Sequence, residues 1–163
     1  MSSNASLLHA AALVAPPGVE VELFEGIGDL PHFNPDQAEE EPGPALAKWR
    51  AALESAEAVL ICSPEYAHGV PGSLKNALDW VVASGEFSQK PVGILNASLQ
   101  SFHAHNSLME IVQTMDARVV VDASPRIPVT QKGQSPEQLA QNPAIAEPLQ
   151  AAIAALVAAA QTA

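Results

Sequence analysis

Three things are scarce in this 163-residue chain: cysteine, positive charge and long apolar runs. Cys62 is the only cysteine, so no intramolecular disulfide can form. A reducing compartment, the cytoplasm, is the natural setting for such a chain. Seven lysines and arginines stand against eighteen aspartates and glutamates, a formal net charge of −11. A chain so poor in basic residues lacks the positive face that a nucleic acid or an anionic membrane would need, and neither is expected as a partner. The N-terminal SLLHAAALVA is apolar, but it has no basic region before it and is too short to span a bilayer. The alanine-rich LQAAIAALVAAA is also read as too short, and as a helix with one buried face. No internal repeat is evident.

What is present is an alternation of two periods over a length suited to a single domain, residues 1–163. Short apolar segments at 19–24, 58–62, 91–97 and 118–123 read as strands. Between and after them, residues 45–56, 73–84, 102–115 and 148–161 carry apolar side chains at helical spacing, with Pro148 placed in a tolerated first turn. Strands separated by helices of this length imply an α/β fold with a parallel sheet. AVLIC and VVV are continuously apolar, as strands covered on both faces are. Val19, Val21 and Leu23 instead alternate with Glu20 and Glu22, which predicts an edge strand. The linker GIGDLPHFNPDQAEEEPGP, residues 26–44, reads as a solvated loop.

The segment SPEYAHGVPGSLKNALDW, residues 63–80, joins the apolar run 58–62 to a helix. In an open α/β sheet, ligands bind at the carboxyl ends of the strands. Gly69 and Gly72 are read as permitting close backbone approach or unusual dihedrals, while Pro64 and Pro71 stiffen the loop. A rigid, backbone-lined wall with Tyr66 beside it suits a flat heterocycle. Cys62 reads as a small core residue, and His68, His103 and His105 as polar loop residues rather than a metal set.

At residues 64–80, PEYAHGVPGSLKNALDW resembles the NADPH-dependent FMN reductase family, whose members include quinone, azo-dye and chromate reductases. The resemblance implies a flavodoxin-like three-layer sandwich with strand order 2-1-3-4-5. It implies FMN as cofactor, with NADPH or NADH as reductant and a small-molecule electron acceptor such as a quinone. It also implies a homodimer or homotetramer. Carried over by position, Pro64, Glu65, Tyr66, Ala67, His68 and Gly69 would face the flavin ring, largely through backbone groups. Lys75, Asn76 and Asp79 would serve packing or subunit contact. In MSSNASLLHAAA, Ser2 and Asn4 align with the family's phosphate-loop serine and asparagine at a helix start, and Ser98 with the serine of its third flavin loop.

The chain departs from the family pattern in three places. The family's first strand and the arginine after it have no counterpart ahead of Ser2. That predicts a sheet lacking an interior strand, from a chain shorter than the ancestral domain or from a rearranged sheet. Leu99, Gln100, Ser101 and Phe102 occupy a stretch that relatives fill with glycine, and Ala67 stands where asparagine is usual. These departures leave an alternative open beside the enzyme: a non-catalytic or truncated flavodoxin-like domain with weak or no FMN binding.

Overall fold

The structure is a computed structural model that describes residues 2–37, 43–131 and 133–162. The acidic run at 39–41, expected in the solvated linker, lies outside the described residues. Six α-helices and three strands alternate in chain order among the described residues: α1 (Ser3–Val14), α2 (Pro44–Ser55), β1 (Val59–Cys62), α3 (Gly72–Asp79), β2 (Pro91–Leu95), α4 (Phe102–Thr114), β3 (Arg118–Val119), α5 (Pro136–Ala140) and α6 (Pro143–Gln161).

The strands form one parallel sheet in the order β1-β2-β3, with Val59 opposite Val92 and Pro91 opposite Arg118. All five residues of β2 are buried, as expected for a strand covered on both faces. On one face, Leu46 and Trp49 of α2, Leu78 of α3 and Leu108 of α4 pack with Ile61, Val92 and Ile94. On the other, Leu7 of α1, Leu139 of α5 and Leu149 and Ile153 of α6 pack with Leu95 and Ala123. Two apolar clusters separated by a sheet make the three layers.

Several sequence expectations need correction. Residues 19–24 form no strand. In the order 2-1-3-4-5 their neighbour is the strand lying between them and β1, and no described residue supplies it. The expected strand 118–123 pairs regularly only at Arg118 and Val119, then tightens into a 3-10 turn at Val121–Ala123. The Ser124 hydroxyl explains the break. It accepts from the Ile94 amide at 3.0 Å and donates to the Val120 carbonyl at 2.8 Å, replacing strand backbone by a side chain. Pairing with the β2 side resumes beyond it, where the Ile127 amide donates to the Asn96 carbonyl at 2.8 Å. α5 had no sequence signal strong enough to be expected, although Ser135 and Gln138 form a capping box around its start.

The last helix begins at Pro143, so Pro148 lies inside it rather than in its first turn. Asn142 caps the true start by accepting from the Ala144 amide. At 19 residues α6 is also long and apolar enough to cross a membrane by length and composition, contrary to the sequence estimate. Its Ile145, Leu149, Ala152, Ile153 and Leu156 are nevertheless buried in the cluster shared with α1 and β2, the packing of a core helix.

The conspicuous KNALDW residues act as a clamp. Asn76 accepts from the Phe33 amide at 2.8 Å and donates to the Pro31 carbonyl at 2.9 Å, and Trp80 Nε1 donates to the same carbonyl at 2.8 Å. Trp49 Nε1 donates to the Ala77 carbonyl, tying α2 to α3. Lys75 and Asp79 pair along one helix face.

Gly93 marks the tightest approach in the sheet. A Cβ placed there would meet the Ala123 carbonyl oxygen at 2.6 Å and Leu60 Cδ1 at 3.0 Å. Gly93→Ala is therefore expected to destabilise the chain by about 1–3 kcal/mol, read as a lower urea midpoint at unchanged slope. An unchanged midpoint would show that the sheet and the 3-10 turn are packed less closely than described.

Candidate functional site

Three segments converge at the carboxyl ends of the strands: the start of α1, the 63–71 loop after β1 and the 96–101 loop after β2. Side-chain amides join them. Asn4 Oδ1 accepts from the Ala97 amide and from Cys62 Sγ, both at 3.1 Å, so α1 is anchored to the ends of β1 and β2 together. Asn96 is buried, donates through Nδ2 to the Ser63 carbonyl at 3.0 Å and accepts through Oδ1 from the Ser98 amide at 2.8 Å. Loss of either asparagine would leave buried partners unpaired, at about 1–3 kcal/mol for each group. Asn96 escaped the sequence reading because it closes an apolar run. A polar residue ending a fully buried strand was the available signal.

Within the first loop, residues 66–69 form a closed turn. The Tyr66 amide donates to the Gly69 carbonyl at 3.1 Å, and the Gly69 amide donates to the Tyr66 carbonyl at 2.9 Å. The two central residues, Ala67 at φ 49° and His68 at φ 59°, are both left-handed, the pattern of a type I′ turn. The sequence predicts close backbone approach or unusual dihedrals at Gly69 and Gly72. Neither has positive φ, and a Cβ would find ordinary contact at Gly69 and open space at Gly72. The strain sits instead on Ala67 and His68, where it costs about 1–2 kcal/mol per residue.

The turn is braced against α4. Glu65 Oε2 accepts from the Ala104 amide at 2.9 Å and so satisfies a free donor in the first turn of that helix. The His68 and His103 rings stack with centroids 4.4 Å apart and planes 19° apart, and Phe102 lies against His103 at 4.0 Å. Tyr66, 66% exposed, stands free above the turn, and Leu99 and Phe102 are also exposed. Together these rings make an aromatic shelf beside the loop. His105 lies apart from it, buried, with no partner for Nδ1 among the described residues. Burial, with the positive charge of Arg126 second, holds its imidazole below the ordinary histidine pKa. Burial likewise pushes the Cys62 thiol far up, which makes it a poor nucleophile.

Each residue singled out from the sequence thus has a place. Ser2 caps α1 by accepting from the Ala5 amide at 3.2 Å, and Asn4 spends its side chain as described. Ser98 Oγ accepts from the Gln100 amide at 3.2 Å, which shapes the second loop. Pro64, Glu65, Tyr66, Ala67, His68 and Gly69 form the turn and its base.

Residues 1–130 match the family described as NADPH-dependent FMN reductase. The chain is 35% identical over 126 residues to the NAD(P)H-dependent FMN reductase of Pseudomonas aeruginosa, covering 76% of this chain and 66% of that protein. It is 31% identical over 129 residues to the quinone reductase of Escherichia coli, covering 73% and 66%. The chain therefore spans just under two thirds of the length of these relatives. Among solved structures, the flavoenzyme NAD(P)H:(acceptor) oxidoreductase FerB of Paracoccus denitrificans superposes with a TM-score of 0.75 over 98% of this chain and 90% of that one, at 22% identity. That likeness shows the flavodoxin-like α/β fold.

Two measurements probe the site directly. Ala67→Gly is expected to raise stability by about 0.5–1 kcal/mol, because glycine adopts the left-handed turn without the Cβ clash; a fall would mean that the methyl packs usefully. For His105, the folded state titrates below the unfolded value of about 6.5. The unfolded chain then binds more protons as pH drops, so stability present above that pH is lost progressively below it. His105→Gln should show a smaller fall in urea midpoint between pH 7 and pH 5 than the parent, and equal falls would remove His105 from the acid sensitivity.

Proposed function

Because the chain belongs to the NADPH-dependent FMN reductase family, we propose that residues 1–163 act as a single flavodoxin-like domain that binds FMN, takes reducing equivalents from NADPH or NADH and passes them to quinones or similar small acceptors. The observation that carries this reading is the locked turn at 66–69. It leaves the Glu65, Ala67 and His68 amides without acceptors among the described residues, beside an aromatic shelf. Such donors match the polar edge of a flat heterocycle, and the residues present fit FMN on that ground. The amides of Ser3 and Asn4 in the first turn of α1, next to the Ser2 hydroxyl, suit its phosphate, helped by the helix dipole. Asn4 would contribute its backbone alone, since its side chain already holds β1 and β2.

Bound FMN would supply hydride transfer between nicotinamide and acceptor. The chain would supply position and electrostatics. Fixed amides at 65, 67 and 68 would offer donors to negative charge developing on the ring, without reorganising. The Glu65 carboxylate is committed to α4, which argues against it as an acid or base. Tyr66 and the stacked His68 offer faces against which an aromatic acceptor can lie. The reading includes a homodimer or homotetramer, supported by the exposed apolar side chains of Phe33, which packs edge-on against Trp80, and of Val82, and a cytoplasmic setting. A second reading, a domain that binds FMN weakly or not at all, is favoured by the exposed side chains of Leu99 in the second loop and of Phe102 at the start of α4.

An FMN titration of the chain, followed by flavin fluorescence, separates the two. Saturable quenching at micromolar concentration or tighter, followed by quinone-dependent oxidation of NADPH or NADH, is the expected result. A folded chain that leaves FMN fluorescence unchanged would overturn the flavin reading.

A further inference from the structure

The mouth at the carboxyl ends of the strands is charged differently from the rest of the chain. Residues 2–4, 62–71 and 96–105, which build it, hold one carboxylate, Glu65, out of eighteen in the chain, and the Ala104 amide already engages it. Arg126 comes to the same end after β3. Its backbone is bridged in parallel to Asn96, and the Ile127 amide donates to the Asn96 carbonyl at 2.8 Å, so the residue is fixed beside the second loop. Arg126 Nη1 donates to the Leu99 carbonyl at 2.9 Å. After burial, its charge is the second cause of the lowered His105 pKa, which puts it within electrostatic reach of the start of α4.

The other described cations are spent. Arg50 and Lys75 pair with Glu86 and Asp79, Lys90 and Arg118 donate to backbone carbonyls, and Lys48 lies over the Phe24 ring. Arg126 is exposed, and its Nε and Nη2 have no hydrogen-bond or carboxylate partner among the described residues. Its anchor, Leu99, leads into the aromatic shelf: Phe102 lies 4.0 Å from His103, which stacks on His68, with Tyr66 exposed in the same turn as His68. A flat surface and a guanidinium with donors to spare therefore meet at the second loop.

We propose that the electron acceptor taken at this mouth is an aromatic anion, a quinone or similar ring carrying a sulfonate or carboxylate, whose ring lies on the shelf and whose acid group meets Arg126. That such an anion accepts electrons rests on the flavin reading; that it binds rests on Arg126 and the shelf. The guanidinium fork matches the paired oxygens of a sulfonate or carboxylate, and the resulting hydrogen bonds are charge-assisted. The ring faces add stacking that an aliphatic acid cannot use. The net charge of −11 opposes an anion only weakly here, because salt screens charges more than about 10 Å away. Selectivity for the charged ring over its neutral counterpart therefore falls to Arg126.

The test is calorimetric titration of the full chain, in excess FMN, with naphthalene-2-sulfonate and with naphthalene-2-sulfonamide, which has the same ring and no charge. The sulfonate should bind about tenfold more tightly. Arg126→Gln should bring the two to equal affinity, and Arg126→Lys, which keeps the charge without the fork, should retain part of the preference. The ratio is read within each protein, so a loss of folded fraction cancels. Equal affinities in the parent, or no binding of either ligand, overturn the proposal. So does a preference that survives Arg126→Gln, since another charge would then be responsible. Methanesulfonate binding as tightly as the aromatic sulfonate overturns it too, since the ring would then add nothing. Flavin fluorescence in the same samples separates the two readings: a sulfonate preference that depends on Arg126, in a chain that leaves FMN unquenched, keeps the anion site and overturns its role as an acceptor site.

Discussion

β2 carries the architecture, because among the described residues it alone is paired along both edges. Its register sets the heights of β1 and β3, and its two faces separate the apolar clusters. Gly93 lets the Ala123 carbonyl pass within a distance that no Cβ would tolerate, so the 3-10 turn after β3 can fold over the sheet. Asn96, just past its end, then turns strand pairing into loop pairing. Burial is what gives these contacts their force, since a polar group left unpaired in such a place costs more than a good hydrogen bond returns.

The candidate site follows from that arrangement. Its turn is held from three directions: Asn96 at its base, Glu65 on the first turn of α4, and the His68–His103 stack. The side chains that a reader would nominate for chemistry are therefore mostly structural, and the groups left over are backbone amides. Such an arrangement suits a protein whose reaction would be performed by a bound cofactor, and whose own part is to hold donors still. The same economy explains the desolvated thiol of Cys62 and the buried His105, whose environments suppress reactivity rather than create it.

Much of the fold was legible, for identifiable reasons. The three strands of the sheet announced themselves by continuous apolar runs, and α2, α3 and α4 by helical spacing, because burial on two faces or on one stripe leaves a direct mark on residue type. Residues 19–24 misled because alternation records which side chains turn inward, and says nothing about whether a neighbour exists to pair with. The 118–123 run misled because a serine side chain can stand in for strand backbone, a substitution invisible without coordinates. Pro148 misled because a cap at Asn142 outweighed it as a start signal.

The local sequence by itself determined the α/β class, the parallel pairing and the place of the 63–80 loop, since all three depend on short-range pattern and on the length of chain between strands. The tertiary structure alone decided the rest of the site. Left-handed backbone fell on Ala67 and His68 rather than on glycine, Glu65 was drawn to a helix start 39 residues away in sequence, and Asn4 was spent on clasping two strand ends. Each is a contact between residues distant in the chain, where geometry rather than composition selects the partner.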